Sequence, residues 1–169
     1  MKKLIFFLFL FYSIIFNSKA EIAYIDISYI LNESDVGKSL NSYIQSIKNK
    51  DITKYKELEN ELKKKENTLI AQKNILNEEE FQKKLSILTL EVKKFRSDKK
   101  LSIDELKKIK IENTKEILKV LNPIITEYVE LNSISIVLPK KNIIVGKKNL
   151  DITNQIINLL NQDIKEFDF

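Results

Sequence analysis

Apolar positions recur with three different spacings along the chain. Behind Lys2 and Lys3 runs an unbroken apolar stretch, Leu4 to Tyr12, extended by Ile14 to Phe16. A second, shorter run at Ile22, Ala23, Tyr24 and Ile25 has the composition of a β-strand and ends at Asp26 and Ser28, both suited to capping a helix. It predicts a strand apolar on both faces, hence buried on both sides, and then a short helical turn. Ser34, Asp35 and Gly37 predict a turn.

The third spacing is helical. From about residue 36 to residue 131 the sole proline is Pro123, and no glycine follows Gly37. Leu58, Leu62, Leu69 and Leu76 form a seam in which polar Lys65 and Gln72 take intervening places, and Phe81, Leu85, Leu88, Val92 and Phe95 resume it. Polar Lys99 interrupts it again before Ser102, Leu106 and Ile109. Alternating steps of four and three give a period of about 3.5 residues, the coiled-coil pattern. Asn77, followed three residues later by Glu80, marks a helix start. The two helices should therefore turn near 74–81, running out over about 38–73 and back over about 78–121 as an antiparallel hairpin. At about 1.5 Å per residue the outgoing arm is roughly 54 Å long.

Beyond the hairpin, Asn122-Pro123 predicts the end of one helix and the start of a short docking helix to Leu131. Ile134 to Leu138 and Ile143 to Gly146 read as two strands of a β-hairpin around Pro139–Asn142, and Leu150 to Thr153 should cap a last helix ending near Asn161. The fold class is thus α+β: a small β-body from residues 21–37 and 122–169, and a helical arm from 38–121. A body of roughly 70 residues supplies little core by itself. Other copies of the chain should complete it, through Ile22, Tyr24, Ile25, Ile134, Ile136, Leu138, Ile143 and Val145.

Composition narrows the chemistry. The 169 residues include no Cys and no His, and two each of Gly and Pro, which excludes disulfides, thiolate metal sites, lipid-modified cysteine and the usual general base, and disfavours glycine-dependent nucleotide folds. No catalytic residue, metal ligand or cofactor site is expected, and the chain does not read as an enzyme. Val145-Gly-Lys-Lys148 lacks the leading glycine and the Ser/Thr of a phosphate loop, and the acids Glu78 to Glu80 suit a helix start.

The positive start, an apolar stretch too short to span a membrane, and the small-x-small end Ser18-Lys19-Ala20 predict a secretory signal peptide over residues 1–20, cleaved after Ala20. Its loss leaves 26 basic and 24 acidic side chains, a net charge of +2. That charge is unevenly placed, since residues 38–119 carry 21 basic and 14 acidic groups, or +7, against −5 for the rest of the mature chain. Lysine pairs such as Lys83-Lys84 and Lys93-Lys94 read mainly as a solvated face. A single arginine, Arg96, argues against nucleic acid as a partner.

Taken in order, the signal peptide, IAYID, the turn NESDVGK, the helical hairpin with its LNEEEF tip, and ISIVLPKKNIIVGKKNLDIT before a terminal helix resemble the Skp/OmpH family of periplasmic chaperones. The resemblance implies a homotrimer whose arms enclose a cavity that holds unfolded outer-membrane proteins without ATP. On that reading Leu62, Leu69, Leu76, Phe81, Leu85, Leu88, Val92 and Phe95 serve both arm pairing and client contact, and the basic arms favour acidic clients and anionic membrane surfaces. Familiar members are strongly basic, so no lipopolysaccharide-binding cluster is carried over to this chain. A structural coiled-coil spacer or adaptor of the envelope is the alternative that the same helices allow.

Overall fold

The computed structural model describes residues 21–164; the expected signal peptide lies outside them. Strand β1 (Glu21–Ile25) leads through α1 (Ile27–Glu33) into the long helices α2 (Asp35–Ala71) and α3 (Glu78–Leu131), followed by β2 (Ile134–Pro139) and α4 (Thr153–Asp163). Among these helices none is long and apolar enough to cross a membrane.

Local signals set the helix starts. Asp26 Oδ1 accepts from the Tyr29 amide at 2.9 Å, and Asn77 Oδ1 accepts from the Glu80 amide at 2.9 Å, each satisfying a donor of a first turn. The predicted turn at Ser34–Gly37 is instead the first turn of α2. Ser34 ends α1 and caps α2, its buried Oγ accepting from the Gly37 amide at 3.2 Å. A Cβ on Gly37 would lie 2.2 Å from the Leu31 carbonyl oxygen, so glycine is what lets α1 fold this closely onto α2.

Two further expectations are corrected. Pro123 does not divide α3, which continues through it to Leu131. Fully buried Leu121 and core-packed Ile124, Ile125 and Tyr128 keep one face against the body on both sides of the proline, so packing outweighs the lost hydrogen bond. The β-hairpin is also absent. Lys140–Asn142 is a 3-10 turn and residues 143–147 form no strand. Instead β2 pairs in parallel with β1, Ile22 opposite Ile136 and Tyr24 opposite Leu138. The segment after β2 is drawn across the sheet, where Lys147 accepts a hydrogen bond from Tyr24 Oη at 3.2 Å and Gly146 sits against the Tyr24 ring.

Parallel strands need a long crossover, and here the crossover is the whole arm. The hydrophobic core lies at its root, where Val36 and Leu40 of α2, Ile117 and Leu121 of α3, and Ile156 and Leu160 of α4 close over the inner face of β1. Polar contacts tie the two chain ends together: the Asp26 amide donates to Thr153 Oγ1 at 2.9 Å, and Asp151 accepts from the Thr153 amide at 3.1 Å and from Lys140 at 2.9 Å. Burial raises the Asp151 carboxyl, but the hydrogen bonds from Thr153 and Lys140 outweigh it and hold the group below its ordinary value; the same contact raises Lys140.

Candidate functional site

Between Leu40 and Ile117 only Tyr55 and Leu69 are buried, so the arm is a thin seam with most of its apolar surface within reach of solvent. Tyr55 clasps it midway. Its ring meets Phe95 edge-on at 6.0 Å and its hydroxyl donates to the Asp98 carbonyl at 2.9 Å. Just below, Ser102 bonds Asp51 across the seam.

The polar seam positions are not holes. Lys65 reaches Glu91 at 2.7 Å, Gln72 accepts from Lys84 at 2.9 Å, and Lys99 lies 3.9 Å from Glu59 and 5.5 Å from the Phe95 ring centre. Each bridges the two helices where a leucine would have packed. Such exposed pairs contribute at most about 1 kcal/mol, so they fix register more than they add stability.

On one face the distal arm opens into a groove of about 830 Å³. It brings together seven of the eight predicted apolar residues: Leu62 and Leu69 from α2, and Phe81, Leu85, Leu88, Val92 and Phe95 from α3. Steps of four and three place them on one stripe of each helix. Leu76 lies outside it, half-buried in the connecting turn. Lys63, Lys93 and Arg96 line the groove with Glu59 and Glu66, so basic groups exceed acidic ones by one. A smaller groove of about 460 Å³ on another face shares Leu69 and Leu88.

Sequence reasoning missed the apolar residues off the seam. Around the tip Ile70, Ile75, Ile87 and Leu90 are 64, 80, 50 and 64% exposed. The available signal was that apolar residues at non-seam positions of a solvated hairpin have no packing reason within the chain.

The eight residues assigned to the oligomer body divide. Tyr24 and Ile25 are buried within their own chain, while Ile134 packs on the core and Ile143 is half-buried. Ile22, Ile136 and Leu138 form the outer sheet face and, at 45, 50 and 41% exposure, remain uncovered, as does Val145 at 89%.

A long antiparallel helical arm inserted between two parallel strands, rooted in a body made from both ends of the chain, defines a class of hairpin-armed α+β proteins. The chain belongs to the family of OmpH-like outer membrane proteins, whose pattern matches residues 21–160. That family is one of chaperones, not of enzymes. The crystal structure of a candidate outer membrane chaperone (OmpH-like) from Caulobacter crescentus CB15 superposes with a TM-score of 0.82 at 16% identity, covering 89% of each chain. Such low identity makes the likeness one of fold. No curated protein matches the chain.

Proposed function

We propose that this protein is an exported, periplasmic holdase chaperone that binds unfolded outer-membrane proteins without ATP and keeps them from aggregating. The observation that carries the reading is the distal groove, which seven apolar side chains line, all but the buried Leu69 partly accessible, beside basic groups on an arm of net charge +7. Many weak apolar contacts cover aggregation-prone segments, and electrostatic attraction draws in acidic clients and anionic membrane surfaces. Release follows when insertion of the client into the membrane is the more favourable state. The body assembles as a homotrimer through its uncovered sheet face, so that three arms enclose one cavity. Family membership and the shared fold support this reading.

The test is light scattering from an unfolded β-barrel protein diluted out of urea, with the mass of the mature chain measured in parallel. Suppression near one trimer per client is the expected result. A monomer or dimer that leaves scattering unchanged would refute both holdase and assembly, and a chain that captures a single folded partner would be an adaptor.

A further inference from the structure

Two uncovered surfaces of the body are complementary to each other. The first is the loop after β2. Lys140 pairs with Asp151 at 2.9 Å and the Tyr24 hydroxyl holds the Lys147 carbonyl at 3.2 Å, so both ends of the loop are pinned and its tip stands away from the body. At that tip Ile144 is 100% exposed and Val145 89% exposed. Lys141, Lys147 and Lys148 flank the pair, and among the described residues none of the three has a carboxylate partner. An apolar tip between unpaired ammonium groups fits a surface that is itself apolar and acidic.

The second surface has that character. A groove of about 960 Å³ between α3 and α4 is lined by Val120, Ile124, Tyr128 and Leu159, and by Leu131, which is 77% exposed. Glu127 and Asp163 line it too, and neither is ion-paired among the described residues. Its one cation, Lys119, is neutralised by Glu116 at 2.7 Å. Within a single chain the loop lies against Tyr24 and does not line this groove.

We propose that Ile144 and Val145 of one copy seat in the α3–α4 groove of a second copy, with the flanking lysines facing Glu127 and Asp163. The inference deepens the proposed assembly of the body and rests on it. Loop and groove are different surfaces, so the contact is head-to-tail and closes into a ring when the rotation permits. An anionic bilayer would satisfy the loop but would leave the acidic groove without a partner, which is why a second copy is the occupant favoured here.

The absence of cysteine gives a clean test. I144C and L131C change two exposed residues, so both variants keep the core intact. Each is oxidised alone and as a co-refolded mixture, while light scattering reports total mass. The expected result is a covalent dimer in the mixture only, because a disulfide needs the two Cα atoms within about 7 Å. In addition, K147E with K148E should raise the dissociation concentration about tenfold, and E127K should restore it. Cross-linking of I144C by itself would mean that like loops meet, and would overturn the proposal. So would an intact oligomer without mixed cross-links, which leaves the assembly standing while the docking site fails. A monomer at every concentration removes both. If vesicles of mixed zwitterionic and anionic phospholipid bind the wild type but not I144E, with no change in mass, the loop is a membrane contact and the proposal is wrong.

Discussion

Replacing Phe81 and Leu85 together by serine should separate the proposed client binding from folding. Both line the distal groove, Phe81 half-buried and Leu85 39% exposed, and neither belongs to the core of the body. Fully covering an aliphatic or aromatic side chain contributes about 1.5–3 kcal/mol. For Leu85 a client covers only the exposed share, so the contribution is roughly 0.6–1.2 kcal/mol, and the smaller accessible part of Phe81 brings the pair to about 1–2 kcal/mol per arm. That corresponds to a retention roughly 5- to 30-fold weaker. The assay is the chaperone concentration that halves scattering from a urea-diluted β-barrel protein, with helix content and mass measured on the same samples. Ile111→Ser is the control: at 55% exposure it is as accessible but lies outside the groove, and it should change nothing. Equal retention by the double variant and the wild type, with mass and helix content intact, would refute the assignment of the groove to clients.

Gly37→Ala places a Cβ 2.2 Å from the Leu31 carbonyl, and thermal melts should show the body destabilised by about 1–3 kcal/mol; an unchanged melt would mean that α1 and α2 part without cost. Tyr55→Phe removes the bond to the Asp98 carbonyl, about 0.5–1.5 kcal/mol, and should speed hydrogen exchange in the middle of the arm while amides of the body stay protected. The Asp151 carboxyl is held below its ordinary value of 3.8, so its contribution is complete above that value and is lost as pH falls through the lower, folded one. Tyrosine near-ultraviolet circular dichroism should therefore be flat down to about pH 4 and change below it, and Asp151→Asn should remove that acid step.

Features set by local chemistry could be read from the chain, and features set by distant partners could not. Asn77 and Glu80 placed the arm turn correctly because a cap acts within three residues. The period of Leu62 and Leu69 on one helix and of Phe81, Leu85, Leu88, Val92 and Phe95 on the other predicted a seam, since that spacing puts each set on one stripe, but that the two stripes border an open groove became visible only in the structure. Pro123 misled, because its local preference is real but Leu121, Ile124 and Ile125 bury the helix on both sides of it. Ile143 to Gly146 has the composition of a strand, yet β2 pairs with β1 from the opposite end of the chain and the segment after it lies against Tyr24 instead of along the open edge of β2, a contact between distant positions that composition does not reveal. The bridge from Lys65 to Glu91 joins positions 26 apart, so Lys65 looked like a gap until the two helices were set side by side.

The division of labour between body and arm also explains how a surface with so many exposed Ile and Leu residues escapes the fate from which, on the proposed reading, it protects its clients. An unfolded β-barrel segment aggregates through two features at once, apolar side chains and unpaired strand edges. The arm offers only the first. Its backbone donors and acceptors are used within α2 and α3, so it covers apolar side chains without giving a client strand an edge on which to extend. In the proposed trimer an arm charge of +7 would also set the arms apart from one another. The cost is a seam with only Tyr55 and Leu69 buried, which leaves the arm easy to open locally; the body tolerates this because its core at Val36, Leu40, Ile117 and Leu121 closes below the point where the arm begins.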